Sequence, residues 1–134
     1  MVVIPLYAGL LALWFLILSF RVIQLRRQTR ILLGDGGDAR LQRAIRGQAN
    51  FVEYVPLALL LLAILESSRF SMYLLHALGA TLLVGRLLHG WAFAFTSGSW
   101  GRLAGAILTF VVLVIEVVLC LYQAYRGHLV WFAS

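Results

Sequence analysis

A chain of 134 residues in which 63% are hydrophobic and only 12% are charged lies outside the composition of soluble globular domains. Its length is that of one domain, and four membrane-spanning helices of about 20 residues each would occupy most of it, which excludes a separate soluble domain. The formal net charge of +6 is carried by arginine without lysine, and seven of the eleven arginines fall between positions 21 and 46. This cluster favours a cytoplasmic loop against anionic lipid over a nucleic-acid-binding surface.

The first predicted span, residues 4–25, belongs to an apolar run that begins at the N-terminus. The run lacks the basic start and the small-residue cleavage site of a signal peptide, so we expect it to remain in the mature protein as an anchor. All spans are predicted to be helices, because a bilayer core offers no partner to unpaired backbone groups and no segment alternates like a barrel strand.

The second and third predicted spans, residues 41–66 and 72–95, reach membrane-spanning length only if they include polar residues. These residues are Asn50, Glu53, Arg86 and His89. Polar groups cost at least about 2.5 kcal/mol each in hydrocarbon when they are charged. We therefore expect these side chains to face the interior of the bundle or a wet cavity, and their positions indicate a site.

The fourth predicted span, residues 103–126, is interrupted by Glu116, which we expect either to form an internal pair with Arg86 or to carry a proton. Short connections between the last three spans make neighbouring helices antiparallel. The first connection holds most of the arginines and the third ends in Arg102, so both termini are predicted to face away from the cytoplasm. The fold predicted is a single-domain, all-α integral membrane protein, an antiparallel bundle of four transmembrane helices.

Polar residues of the second span form a stripe on one side of the helix. The stripe contains Arg43, Arg46, Asn50 and Glu53. Their offsets of i, i+3, i+7 and i+10 place the four side chains within about 80° of one another around the helix axis. Under the predicted topology, Arg86, His89 and Arg102 converge on the same cytoplasmic half of the membrane. Several guanidinium groups in a desolvated cleft predict a site for a small polyanion, because each can bind a carboxylate in a bidentate manner. The alternative is structural: headgroup anchors, an interhelical amide hydrogen bond, and a glutamate paired with the cations of the third span.

One run in the second span carries a family resemblance. The run Arg43-Ala-Ile-Arg46-Gly-Gln-Ala-Asn50-Phe-Val-Glu53-Tyr54-Val-Pro56 closely resembles the signature of the MAPEG family, the membrane-associated proteins in eicosanoid and glutathione metabolism, most of all its bacterial branch. The pair Arg26-Arg27 and the pattern Arg86-x-x-His89 with a later Arg102 add to the resemblance, which extends over most of the chain. It implies a four-helix subunit of a homotrimer in a bacterial inner membrane, with glutathione between adjacent subunits near the cytoplasmic face.

The resemblance also implies roles for individual residues. Glutathione would be bound by Arg27, Arg43, Arg46, Asn50, Glu53, Tyr54, Arg86 and His89. Arg102 would be the catalytic residue that stabilises the glutathione thiolate, because a nearby cation lowers the pKa of a thiol from about 8.5 towards neutrality. The nucleophile would belong to the cofactor, so Cys120 is not needed for the chemistry, and no metal site is predicted.

The function implied is that of a membrane-bound glutathione S-transferase, which conjugates the thiolate to lipophilic electrophiles arriving from the bilayer and could also reduce lipid hydroperoxides. Position 93 is Phe where the eicosanoid synthases have Tyr, so eicosanoid specificity is not implied. This departure leaves open a non-catalytic lipid-binding or scaffold protein on the same fold. A proton-coupled exporter of cationic drugs is disfavoured, because arginines surround the carboxylate of Glu53.

Overall fold

Four long α-helices make up the chain in a computed structural model that describes residues 1–96 and 98–133, with side chains described as far as residue 128. The helices are α1 (Val3–Thr29), α2 (Ala39–Ser67), α3 (Met72–Ala94) and α4 (Trp100–Ala133). Each helix is long and apolar enough to cross a membrane. The predicted all-α membrane bundle is confirmed. Its helices extend beyond most of the predicted spans, because polar residues that lower hydropathy, such as the arginines ending α1, still continue a helix.

The α1–α2 connection is held by charged side chains at both of its ends. Arg26 donates from Nη1 to the carbonyl oxygens of Ile31, Leu32 and Gly34 at 3.3, 3.2 and 2.9 Å. Asp38 caps α2, and its Oδ1 accepts the backbone N–H of Leu41 at 3.0 Å. That hydrogen bond and the neighbouring Arg40 side chain hold the pKa of the Asp38 carboxyl below its ordinary value. The connection is thus an ordered loop.

Helices α2 and α3 each pack against all three other helices, whereas the backbones of α1 and α4 do not approach each other in the described part of the chain. The apolar core includes Leu11, Leu62, Leu82 and Val112, one from each helix, all at most 1% exposed. Many other apolar side chains point outward, as expected for helices that face lipid. The core therefore determines how the four helices are arranged, while their outer faces are suited to contact lipid.

Glycines allow α3 and α4 to approach closely. Gly101 and Gly105 form a small-xxx-small pair at the start of α4. A Cβ added to Gly105 would lie 2.7 Å from His89 Cβ, and one added to Gly101 would lie 3.0 Å from Ala92 Cβ. This contact brings the first turns of α4, and with them Arg102, against the last turns of α3.

At the opposite end of the bundle, Glu66 near the end of α2 caps the start of α1. Its carboxylate accepts the backbone N–H groups of Val3 and Ile4, each at 2.9 Å, and also that of Val2. A carboxylate at a helix N-terminus satisfies unpaired donors and interacts favourably with the helix dipole. The contact places the N-terminus and the α2–α3 connection at the same end of the bundle, opposite the arginine-rich connection.

Candidate functional site

The candidate site is a cavity of about 450 Å³ at the end of the bundle where the first and third connections meet. Its lining includes Arg43 and Arg46 of α2, Phe93 of α3, Arg102 of α4 and Asp35 of the first connection. The acidic Asp35 also accepts the backbone N–H of Gly37 at 3.0 Å. The structure therefore brings three of the sequence-predicted arginines together around one volume.

Phe93 lies between α2 and the guanidinium of Arg102. The Arg102 Cζ atom is 5.2 Å from the centre of the Phe93 ring, within the range of a cation–π interaction. On the other side, Gly47 makes room for the ring, since a Cβ there would lie 2.7 Å from Phe93 Cβ. Gly47 was not among the predicted site residues, although a glycine inside a helix costs about 1 kcal/mol relative to Ala and so indicates a close contact. Phe93 thus helps to hold Arg102 at the cavity.

Arg86 and His89 lie further into the bundle than Phe93, and they are only 2% and 6% exposed. Arg86 donates from Nη1 to Asn50 Oδ1 at 3.0 Å and to the Asn50 backbone oxygen at 3.5 Å. The centre of the His89 ring is 4.9 Å from that of Phe93. These residues therefore form a buried layer beneath the cavity, and their predicted contact with glutathione stays a prediction.

Glu53, the last residue of the α2 stripe, lies near the outer surface of the bundle, where it pairs with Arg46. Arg46 Nη1 and Glu53 Oε1 form an ion pair at 3.2 Å, with 61% and 45% of their side chains exposed. Exposed pairs of this kind contribute little to stability, about 0–1 kcal/mol. The ring of Tyr54 packs edge-on against Phe110 of α4, with centres 5.4 Å apart. Glu53 is therefore paired on its own helix rather than with the cations of α3.

Arg27 is separated from the other predicted site residues within a single chain. It lines a second cavity, of about 540 Å³, on α1 with Arg21, Gln24 and Phe95. Arg21 is fixed there, because its Nε donates to the Ala94 carbonyl at 3.1 Å and its Cζ lies 5.4 Å from the Phe95 ring centre. The structure thus places Arg27 in a different cavity of the chain from Arg43, Arg46 and Arg102.

Glu116 differs from the expectation of an ion pair with Arg86. It is 0% exposed, and neither carboxylate oxygen has a hydrogen-bond partner among the residues that the structure describes. Arg86 is directed at Asn50 instead. The expectation failed because position along a helix gives the depth of a side chain but not the neighbour toward which it points.

Comparison with known proteins places this geometry in a family context. The model of the MAPEG family matches residues 4–122. The chain is also similar to two curated proteins, each named "Inner membrane protein YecN", one from Escherichia coli strain K12 and one from Escherichia coli O6:H1 strain CFT073. Each is 40% identical over 112 residues, which cover 84% of this chain and 85% of the relative. The shared name gives a location in the inner membrane and no chemistry.

Proposed function

Because the chain belongs to the MAPEG family, we propose that it is a glutathione-dependent transferase of the inner membrane that acts on lipophilic electrophiles. The observation that carries the proposal is the cavity at which Arg43 and Arg46 of α2 meet Arg102 of α4. Glutathione carries carboxylates, which guanidinium groups bind through charge-assisted hydrogen bonds, and a thiol, which a nearby cation activates. The cavity thus offers what this cofactor needs.

In the proposed reaction, Arg43 and Arg46 bind carboxylates and Arg102 stabilises the thiolate after the thiol proton passes to solvent. Bound glutathione would supply the sulfur nucleophile, and a carbon–sulfur bond would form as the leaving group departs with the bonding electrons. With a hydroperoxide, two glutathione molecules would supply the two reducing equivalents, and the products would be the alcohol, water and glutathione disulfide. Phe93 has no hydroxyl, so thiolate stabilisation falls to Arg102 in this proposal.

Two further features support the proposal. An apolar groove of about 570 Å³ at the same end of the bundle is lined by Trp14, Trp91 and Trp100, among others, and could hold a lipophilic substrate. Arg27 lines a different cavity from Arg43, Arg46 and Arg102. In the proposed homotrimer, Arg27 would complete the site of an adjacent subunit.

The test begins with isothermal titration of glutathione into the detergent-solubilised protein, followed by conjugation of a chromogenic aryl halide. We expect binding and turnover in the wild type. Arg102→Ala should lower the rate at neutral pH by about tenfold or more, because less of the bound thiol is ionised. Arg126→Ala is the matched control, since Arg126 lies far along α4 against Tyr122. Absence of both glutathione binding and turnover would contradict the proposal.

A non-catalytic lipid-binding or scaffold role is the second candidate, and the missing hydroxyl at Phe93 together with the apolar groove favours it. The same titration separates the two functions. A lipid-binding protein would retain lipid through purification and would give no heat with glutathione, whereas the transferase would bind glutathione with or without added lipid.

A further inference from the structure

We propose that Arg86 is a positioning residue that fixes the amide of Asn50, so that position 50 presents a hydrogen-bond donor to an acceptor oxygen of the ligand. The inference rests on the proposed function and deepens it. The family resemblance places both residues in direct contact with glutathione. Their roles differ in this proposal: Asn50, half-buried one turn from Arg46, contacts the ligand, and Arg86, which is buried, lies behind it.

The first observation is that the Arg86 side chain is buried in the bundle and directed at Asn50, although its Nε has no hydrogen-bond partner among the described residues. Its side chain, only 2% exposed, crosses from α3 to α2 and donates to Asn50 Oδ1 at 3.0 Å. The same Nη1 reaches the backbone oxygen of Asn50 at 3.5 Å. Neither Arg86 nor Asn50 lines the cavity that contains Arg43, Arg46 and Arg102, but Asn50 is half-buried and lies one turn from Arg46, whereas Arg86 is buried. In this proposal Arg86 therefore acts on a ligand through Asn50.

The second observation is that α3 is fixed at Arg86 from the side of α1. Trp14 donates from Nε1 to the Arg86 backbone oxygen at 3.0 Å in a buried hydrogen bond. Gly90, one turn later, makes room for the indole, because a Cβ there would lie 2.7 Å from Trp14 Nε1. The Arg86 backbone is thus held by α1 while its guanidinium holds α2. Because its backbone is restrained in this way, the Arg86 side chain starts from a fixed position, which a positioning residue requires.

The chemistry of the two side chains decides which way the amide points. A guanidinium carries only donors, so the Asn50 atom that faces Arg86 must be the oxygen Oδ1. The amide NH₂ group is then turned away from Arg86. Asn50 lies one turn beyond Arg46 on the same side of α2, so this NH₂ group adds a donor to the arginine stripe.

The fixed amide selects the kind of ligand group that can bind beside it. An NH₂ donor next to Arg46 donates to a carboxylate or a peptide carbonyl oxygen and disfavours an ammonium, which has only donors. Without Arg86, the Asn50 amide could rotate and present either its oxygen or its nitrogen, and this selectivity would be lost. We therefore infer that a carboxylate or carbonyl of glutathione, and not its amino group, is placed at Asn50.

A double-mutant cycle tests the indirect role of Arg86. Glutathione affinity is measured by titration in the detergent-solubilised wild type, in Arg86→Met, in Asn50→Ala and in the double variant. We expect Arg86→Met to weaken binding about tenfold when Asn50 is present, as when a polar partner is lost. In the Asn50→Ala background the same change should alter affinity by less than about twofold. An equal loss in both backgrounds would show that Arg86 touches the ligand and would overturn the inference.

Two variants test the polarity of the amide and guard against a folding defect. Arg86→Lys keeps a donor and should restore most of the affinity lost in Arg86→Met. Asn50→Asp keeps an acceptor for Arg86 but removes the donor, so it should melt at least as high as the wild type while binding glutathione at least about tenfold more weakly. Wild-type affinity in Asn50→Asp would overturn the inference. If the wild type binds no glutathione, both the proposed function and the inference fail. If the wild type binds glutathione and the effects of the Arg86 and Asn50 substitutions simply add in the double variant, only the inference is refuted.

Discussion

Glu116 is an acidic side chain in the apolar part of α4, with 0% of its surface exposed and no hydrogen-bond partner for its oxygens among the described residues. An ionised carboxylate in such surroundings would be costly. We therefore expect Glu116→Gln, which has a similar shape and no charge, to keep or raise the thermal midpoint of the detergent-solubilised protein. Glu116→Lys is the contrasting variant and should lower the midpoint strongly. A marked loss of stability in Glu116→Gln would show instead that the carboxylate has a charged partner in the assembled protein.

The sequence could predict which residues share a face of a helix but not which partners they choose. The i, i+3 spacing of Arg43 and Arg46 and the arginine-rich connections predicted that these residues and Arg102 converge at one end of the bundle. The partner of Arg86 could not be predicted, because Asn50, Glu53 and Glu116 were all polar groups within the bundle. The structure selects Asn50, since Glu53 lies on the outer side of α2 beside Arg46.

At the scale of elements, the contact between α3 and α4 determines where Arg102 lies. A side chain at Gly105 would meet His89 Cβ at 2.7 Å and would push the two helices apart. We expect Gly105→Leu to lower the thermal midpoint and to reduce glutathione conjugation even though Arg102 is unchanged. The matched control is Gly127→Ala in the same helix, because a Cβ at Gly127 has no neighbour within 4 Å among the residues that the structure describes. Full activity in Gly105→Leu would contradict the view that this contact positions Arg102.

The start of α2 depends on the ionised side chain of Asp38. Hydrogen bonding from the Leu41 backbone and from Arg40 lowers the pKa of this carboxyl in the folded protein. A carboxyl with a depressed folded-state pKa stabilises above its unfolded pKa of about 3.9, and this contribution is lost as the pH falls through the folded value. We expect Asp38→Ala to melt below the wild type at pH 7, with the difference narrowing below about pH 4.

Asp38→Asn separates the cap from its charge, because an amide oxygen still accepts the backbone N–H groups at the start of α2. This variant should melt between Asp38→Ala and the wild type at neutral pH. A difference between the wild type and Asp38→Ala that does not change between pH 7 and pH 3 would show that ionisation of Asp38 is unimportant.

At the scale of the whole molecule, opposite ends of the bundle are built from different interactions. One end gathers the arginine-rich connection and the cavity, while the other is joined by Glu66, whose carboxylate caps α1, and by Tyr7, whose hydroxyl donates to the His76 carbonyl at 3.0 Å. The hydrogen bonds between Glu66 and the start of α1 were not predicted, because nothing in the sequence around Glu66 identifies the backbone of a distant helix as its partner. The orientation of the two ends in the membrane stays a prediction that rests on the arginine bias.

The position of Arg27 leads to a prediction about assembly. In one chain it lines the α1 cavity, apart from the cavity that contains Arg43 and Arg102. If each site of the proposed homotrimer takes Arg27 from one subunit and the arginine cavity from the next, the two parts can be supplied by different chains. Arg27→Ala and Arg102→Ala, each impaired alone, should then complement each other when coexpressed in mixed trimers.

Random mixing in equal amounts should restore about a quarter of the sites, because a site works when one neighbour supplies Arg27 and the other supplies Arg102. Conjugation activity should therefore rise well above that of either variant alone. The control mixes Arg43→Ala with Arg102→Ala, whose positions line the same cavity of one chain, so no site formed from two variant chains regains both residues. No recovery in the first mixture would contradict this scheme, since it would mean that Arg27 and Arg102 serve a site from the same chain.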